Sequence, residues 1–420
     1  VSDSFYLGIE SNPHGRKVTH FEVEGVELGN LKNFNEYFMN KKHAILAGVI
    51  ALIVILIIGA GAFVLSNRTG NLSICAFGAK GDGQTLCTNA INDAIDVCED
   101  KGGGVVTVPS GTYLTGAIFL KSNVELNIEA GATLLFSNDV NDYPIVTSRW
   151  EGVKRDCYAS CINAYNAENA SITGSGTIDG QGEFWWKLHK AKENQYPRPK
   201  CISPYECENF RISGITIKNS PSWTIDPILC NNLDIDFVNI KNPSEAPNTE
   251  GIDPDSCSNV RISNCNIDVG DDCIAIKSGT EKIDQKVPSK NISISNCTML
   301  HGHGGVVIGS EMSGGVSNVV IDNCVFDSTD RGIRLKSRRG RGGTVEDMRV
   351  NNIVMENVVC PFVANLFYNS SSTGNDDDAS NPNALPVNEG TPSFKRLHFA
   401  NITCKNAQAA AGYFYGLAKN

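Results

Sequence analysis

Between Asn248 and Gly279 the chain reads NTEGIDPDSCSNVRISNCNIDVGDDCIAIKSG, with five carboxylates, Glu250, Asp253, Asp255, Asp271 and Asp272, among short β-type runs. Strand interiors disfavour Asp, and the adjacent Asp271 and Asp272 repel each other, which raises the pKa of at least one. One carboxyl held protonated and another ionised are the parts of general acid–base chemistry. Turn-capping Asp residues or a calcium site are the alternatives for the same stretch. Downstream come HGHGG, with His303, and DRGIRLKSRRGRGG, with Arg331, Arg334, Lys336, Arg338, Arg339 and Arg341. Alone, such a run is a solvated loop and His303 a turn histidine. Next to carboxylates in an acidic protein, the run suits a polyanion-binding groove. An Arg fork matches a sugar carboxylate bidentately.

The elements that position these residues follow from a repeat. The pattern opens with Asn and alternates apolar residues: NFRISGITI from Asn209, NLDIDFVNI from Asn232, NVRISNCNI from Asn259, NISISNCTM from Asn291 and NVVIDNCVF from Asn318. Weaker copies are NASITGSGTI from Asn169 and FKRLHFANI from Phe394. Strand-length runs recurring every 20–50 residues or so mark a solenoid, and β-period runs without intervening helices point to a parallel β-helix. The leading Asn residues are expected to stack as a side-chain ladder. Cys265, Cys297 and Cys324 share one repeat position and read as small inward-facing hydrophobes. Residues about one coil apart lie over one another, so Glu250, Asp271 with Asp272, His303, Arg334 and Lys336 form a column on one face. That column has the parts of a glycosidase acting on an anionic sugar.

Residues 88–100 carry Ala90, Ile91, Ala94, Ile95 and Cys98 at helical spacing. Thr88 is positioned to cap this helix, and Gly102–Gly104 end it. The helix is expected to cover the first coil and hide its open edge. Residues 1–43 read as a polar, disordered, cytoplasmic tail. The apolar run at 44–66 is long enough for a transmembrane signal anchor, with 67–73 as linker and 74–420 as the β-helix. Lys41 and Lys42 before the run place the large C-terminal part outside the cell or in a lumen; a secreted form is the alternative. Sequons, for example at Asn291 and Asn401, agree with export. The net charge of −10 and pI near 5.3 speak against a nucleic-acid partner. The 15 cysteines show no paired CxxC motifs, which argues against zinc, and some disulfides are compatible with export.

Together the motifs resemble the polygalacturonase family, glycoside hydrolase family 28. The family's NTDG appears as NTEG at Asn248–Gly251, its DDC at Asp271–Cys273, its GHG at Gly302–Gly304 and its R-x-K at Arg334 and Lys336. FGAKGDG from Phe77, GGGVVTVPSGTYLTG from Gly102 and GSGTIDGQG from Gly174 add to the likeness. The resemblance implies a right-handed parallel β-helix and inverting hydrolysis of α-1,4 bonds between galacturonate residues of pectin. It casts Asp271 as general acid, and Glu250 and Asp272 as activators of the attacking water. His303 would tune their protonation, while Asn248, Arg334 and Lys336 bind substrate. It implies no metal and no cofactor, and the chain is read as a monomer. GSEMSGG and the turn from Thr280 to Lys290 resemble exo-acting relatives. Two residues depart from the family: Glu250 stands in place of Asp, and Asp226 in WTIDP stands where many relatives have His. The ending GYFYGLAKN falls short of the further coils usual in the family, so the domain reads as C-terminally truncated. A lyase on the same fold and a non-catalytic polysaccharide-binding adhesin are the competing functions.

Overall fold

The computed structural model describes residues 9–11, 17–19, 70–368 and 381–418. The chain divides into a unit of residues 1–68 and a unit of residues 69–420. In the first, Ile9–Ser11 and Lys17–Thr19 form an antiparallel pair. The apolar run at 44–66 and nearly all of the polar tail lie outside the described residues. Among the described residues no helix is long and apolar enough to cross a membrane.

The second unit is a parallel β solenoid. Most of its strands are short because each coil must turn after a few residues, and the inner ones pair in parallel with the coil before and the coil after. One register line runs Phe210–Leu233–Val260–Ile292–Val319–Met348–Leu397. A second, on another face, runs Ile118–Ile162–Ile202–Ile225–Ile252–Ile274–Val306–Ile333. Every member of the second line is at most 1% exposed. The strand period of two places these residues in the core and sends their neighbours outward.

The repeat's Asn residues behave as their positions suggest. Asn169, Asn209, Asn232, Asn259, Asn291 and Asn318 all adopt left-handed backbone, φ 55–57°. Asn tolerates this conformation better than most residues. Asn291 Nδ2 donates to Asn259 Oδ1 (2.9 Å), and Asn318 Nδ2 donates to Asn291 Oδ1 (3.0 Å). Asn259 steps aside and donates to Asn231 Oδ1 instead of Asn232 (2.8 Å). The last coils differ from the expected register. Leu397 pairs with Met348, so the ladder position there is Arg396, not Phe394. A copy headed by Asp347 precedes it, and the two heads form an ion pair (Arg396 Nε–Asp347 Oδ1, 2.7 Å) in place of an amide step. Without the Asn the sequence pattern loses its marker, although the apolar alternation continues.

Cys265, Cys297 and Cys324 are buried, at most 2% exposed, and another buried set is Cys207, Cys230 and Cys257. All 15 cysteines are unpaired. Helix α1 (Thr88–Asp100) buries Ile91, Ala94, Ile95 and Cys98. Its N-cap is Cys87, with no side-chain cap bond. Thr88 Oγ1 instead accepts from Gly116 N (2.6 Å), because the helix is tied down onto the adjoining coil. A second helix, α2 (Glu183–Ala191), buries Trp185 and Trp186. An antiparallel hairpin, Ile145–Trp150 with Val153–Tyr158, also interrupts the solenoid.

Candidate active site

The second register line defines one face of the solenoid, and the outward-pointing residues along it carry the chemistry. Its later strands are Asp272–Ile276, Gly304–Ile308, Arg331–Lys336 and Cys360–Asn365. Ile252 bridges Ile274, which sets Glu250 beside Asp272 on the next coil; Gly251 N donates to Asp272 O (3.0 Å). Asp272 pairs with Gly304, so His303 lies over Asp271. His303 Nδ1 and Asp271 Oδ1 are 3.2 Å apart. Arg334 pairs with Val307, not with the position above His303. The coil spanning Gly304 to Arg331 is shorter than the one before it, so equal sequence spacing did not mean equal register. Side-chain length closes the gap. Lys336 Nζ donates to Asp272 Oδ2 (2.6 Å), and Arg334 Nη1 approaches Asp272 Oδ1 (3.4 Å). Glu250, Asp271, Asp272, His303, Arg334 and Lys336 therefore share one site.

The rest of the basic run does other work. Arg338 Nη2 and Arg341 Nη1 reach Glu281 at 2.8 Å and 3.0 Å, and Arg331 pairs with Asp330 (3.0 Å). Of the five carboxylates, Asp255 forms an ion pair with Arg149 (2.8 Å). Asp253 is fully buried, with Lys277 Nζ at 3.8 Å and no hydrogen bond to either oxygen.

The electrostatics order these groups. Burial, reinforced by the charge on Asp271, pushes Glu250 up to about 8, against the pull of Lys277 at 3.7 Å. Burial also works to raise Asp271, but the His303 hydrogen bond and the Lys336 charge outweigh it and hold that carboxyl below its usual value. His303 is raised in return, first by its bond to Asp271. Burial drives Asp253 well above the carboxylate range. Lys277 and Lys336 are raised despite burial, because Asp253 faces the first and Asp272 the second.

Several residues here carried no sequence signal. Lys277 and Lys200 both sit over the Trp223 ring, at 4.6 Å and 5.4 Å from its centroid. Lys200 also forms an ion pair with Asp226. Tyr368 lies 5.5 Å from the Arg334 guanidinium carbon and 5.2 Å from Lys336 Nζ. Asn248, in left-handed backbone at φ 55°, is held through its Oδ1 by Arg198 Nη2 (2.8 Å). Lys277 could have been suspected from strand alternation, because it lies three residues beyond the core residue Ile274 and so on the opposite, outward face. Arg198 lies outside the repeat copies, and no spacing rule reaches it. Among the described residues no three His, Cys, Asp or Glu side chains are grouped to hold a metal ion.

The hairpin lies against this face from the coil of Trp223 to the turn at Thr280. Trp150 packs on Trp223 with ring centroids 4.4 Å apart. Arg149 O accepts from Lys200 Nζ (2.7 Å), and Gly152 O accepts from Thr280 Oγ1 (3.2 Å). Asp226, Asp255 and Lys277 are thereby buried, at 4%, 4% and 6% exposure.

Comparison with known proteins matches this architecture. The profile of the glycosyl hydrolases family 28 covers residues 98–413. A probable polygalacturonase of Vitis vinifera is 35% identical over 83% of this chain and 71% of its own length. An endo-polygalacturonase of Pectobacterium carotovorum subsp. carotovorum is 32% identical over 83% of this chain and 91% of its own. The crystal structure of a hyperthermoactive exopolygalacturonase from Thermotoga maritima superposes with a TM-score of 0.71 at 33% identity, covering 80% of this chain and 81% of that one. With the carboxylate pair, the His303 contact and the Arg334–Lys336 grip on one face of a parallel β solenoid, the chain belongs to glycosyl hydrolase family 28.

Proposed function

We propose that the chain hydrolyses the α-1,4 bonds of galacturonan, with inversion at the anomeric carbon. The observation that carries the residue assignment is Asp272, 1% exposed, gripped by Lys336 and adjoining the Asp271–His303 pair. Asp271 delivers the proton to the glycosidic oxygen, which leaves as a hydroxyl. Asp272 and Glu250 orient the water that attacks the opposite side of the sugar and accept its proton. Arg334 and Lys336 receive the galacturonate carboxylate, with Asn248 as a further contact to the sugar. Charge thus builds on a ring held by cations, while carboxylates face the developing oxocarbenium centre.

Exo action is the finer reading. The hairpin packed between the Trp223 coil and Thr280 supports it, because a covered stretch of the face leaves little room for a long chain there. One observation favours a second division of labour: Glu250 is raised to about 8, whereas Asp271 is lowered. Glu250 would then hold the catalytic proton.

The test uses full-length protein with polygalacturonate. New reducing ends without the ultraviolet absorbance of an unsaturated product support hydrolysis; that absorbance means a lyase; binding alone means an adhesin. Monogalacturonate as first product supports exo action. An aryl galacturonide, whose leaving group needs no proton, separates the two acids. Asp271→Asn retains activity on it if Asp271 is the acid, and Glu250→Gln does so if Glu250 is. We further propose that the apolar run at 44–66 anchors the enzyme with its β-helix outside the cytoplasm. Its apolar length supports this, and extraction that frees the protein without detergent would overturn it.

A further inference from the structure

We propose that Arg198 is a positioning residue for the reaction: its guanidinium clamps the connection from Asn242 to Glu250, so that the Glu250 carboxyl is presented beside Asp271 and Asp272. This rests on the reading above in which Glu250 works with those two residues.

Arg198 lies in the segment between α2 and the strand Ile202–Tyr205, and it is 1% exposed. Its Nη1 donates to Pro221 O (2.8 Å) and to Pro247 O (2.9 Å), and its Nη2 donates to Asn248 Oδ1 (2.8 Å). Pro221 and Asn248 stand on the two connections that lead onto the catalytic face at Ile225 and Ile252. One planar group therefore ties two successive coils together just before they deliver Thr224 and Glu250. Thr224 N donates to Glu250 O across the same gap (3.0 Å). Inside the connection, Asn242 Nδ2 donates to Thr249 O (3.3 Å) and Thr249 Oγ1 donates to Ala246 O (3.0 Å). These bonds shape the loop from within, whereas Arg198 fixes it to the preceding coil.

A buried guanidinium is not kept without compensation. Burial lowers the Arg198 pKa to about 10, and the nearby Glu250 and Glu151 charges oppose that fall. Arg198 is thus coupled to Glu250 by charge as well as through the backbone. The longer Glu side chain makes such a clamp more consequential. One extra methylene adds a rotatable bond, and a loop free to shift would let the carboxyl miss the water-bearing position. Lysine cannot replace the fork, because its ammonium is a point charge that does not span three acceptors in one plane.

The experiment is a double-mutant cycle on the full-length enzyme with polygalacturonate. Arg198→Lys is expected to lower kcat about 10- to 100-fold, the scale of a misplacement near 1 Å, with KM changed less than about twofold. In a Glu250→Gln background the same substitution is expected to lower the residual kcat less than about threefold, since coupled residues are not additive. Equal losses in both backgrounds, or native kcat in Arg198→Lys, would overturn the proposal. If Glu250→Gln alone keeps native kcat, it is the reading of Glu250 that fails. Should Arg198→Lys not fold, Arg198→Gln, which keeps an N–H donor but cannot span both connections, enters the same comparison and decides it in the same way.

Discussion

Lys336 Nζ donates to Asp272 Oδ2 at 2.6 Å across 64 residues of chain and two coils of the solenoid. Asp272 is 1% exposed and Lys336 8%, so this is a buried charge pair. Removing one partner of such a pair costs about 3–5 kcal/mol. Arg334, 3.4 Å from the same carboxylate, reduces that loss. Lys336→Ala is expected to destabilise the enzyme by about 2–3 kcal/mol in denaturant titration and to lower kcat/KM on polygalacturonate at least about a hundredfold. Native kcat/KM in the variant would remove Lys336 from the site.

The His303–Asp271 contact predicts a pH window. His303 is raised above 6.5, so its contribution is complete below that value and is lost as pH rises through the folded pKa. Asp271 is lowered below 3.8, so its contribution is present above that value and is lost as pH falls through its folded pKa. The pair therefore stabilises most between the two unfolded values. The stability difference between wild type and His303→Ala should peak near pH 5 and shrink toward alkaline pH. A flat difference in thermal melts from pH 4 to pH 9 would remove the pairing.

Glu250 acts in the opposite sense from Asp271. Its carboxyl is raised from 4.5 to about 8 by burial and the Asp271 charge. The folded state keeps a proton that the unfolded chain releases, so stability is full below pH 4.5 and declines as pH climbs through about 8. Glu250→Gln should flatten that decline. If wild type and variant melt in parallel across this range, Glu250 is not the group that holds the proton.

The Asn ladder predicts a backbone effect separable from its hydrogen bonds. Asn291 has φ 57° and bonds to Asn259 and Asn318. Asn291→Gly keeps the backbone and loses the bonds, for about 1 kcal/mol or slightly more. Asn291→Ala also carries the left-handed penalty of about 1–2 kcal/mol. Denaturant titration should rank wild type above Gly and Gly above Ala; an Ala variant as stable as Gly would remove the backbone contribution.

Product length tests the hairpin. Arg149 and Asp255, with side chains 6% and 5% exposed, hold it to the catalytic face. Arg149→Met with Asp255→Leu removes both charges, so neither is left buried alone. If the hairpin selects chain ends, early digests of the variant should contain longer oligomers than those of the wild type, as read by chromatography. An unchanged profile would separate the hairpin from chain-end selection.

The solenoid, and the residues it brings together on one face, could largely be read from local sequence pattern. The Asn-headed repeat is local, since left-handed backbone and strand alternation are properties of adjacent residues. Asp271, Asp272 and His303 were legible for the same reason, because each sits where a strand meets a turn. The ladder in the last coils carries no such signal, since Asp347 and Arg396 meet the same geometric need with an ion pair that no Asn marks.

How the site is tuned depends on the stacking of the coils. Coil lengths vary, so Arg334 stacks on Val307, and its reach to Asp272 depends on a long side chain and not on register. The roles of Lys277, Trp223 and Arg198 come from burial and packing between coils and an inserted hairpin, which sequence spacing does not encode. The same burial sets Glu250 high, while a hydrogen bond and a nearby ammonium set Asp271 low. Proton affinity depends on the field from groups brought together across many residues of chain, and that field exists only once the coils have stacked.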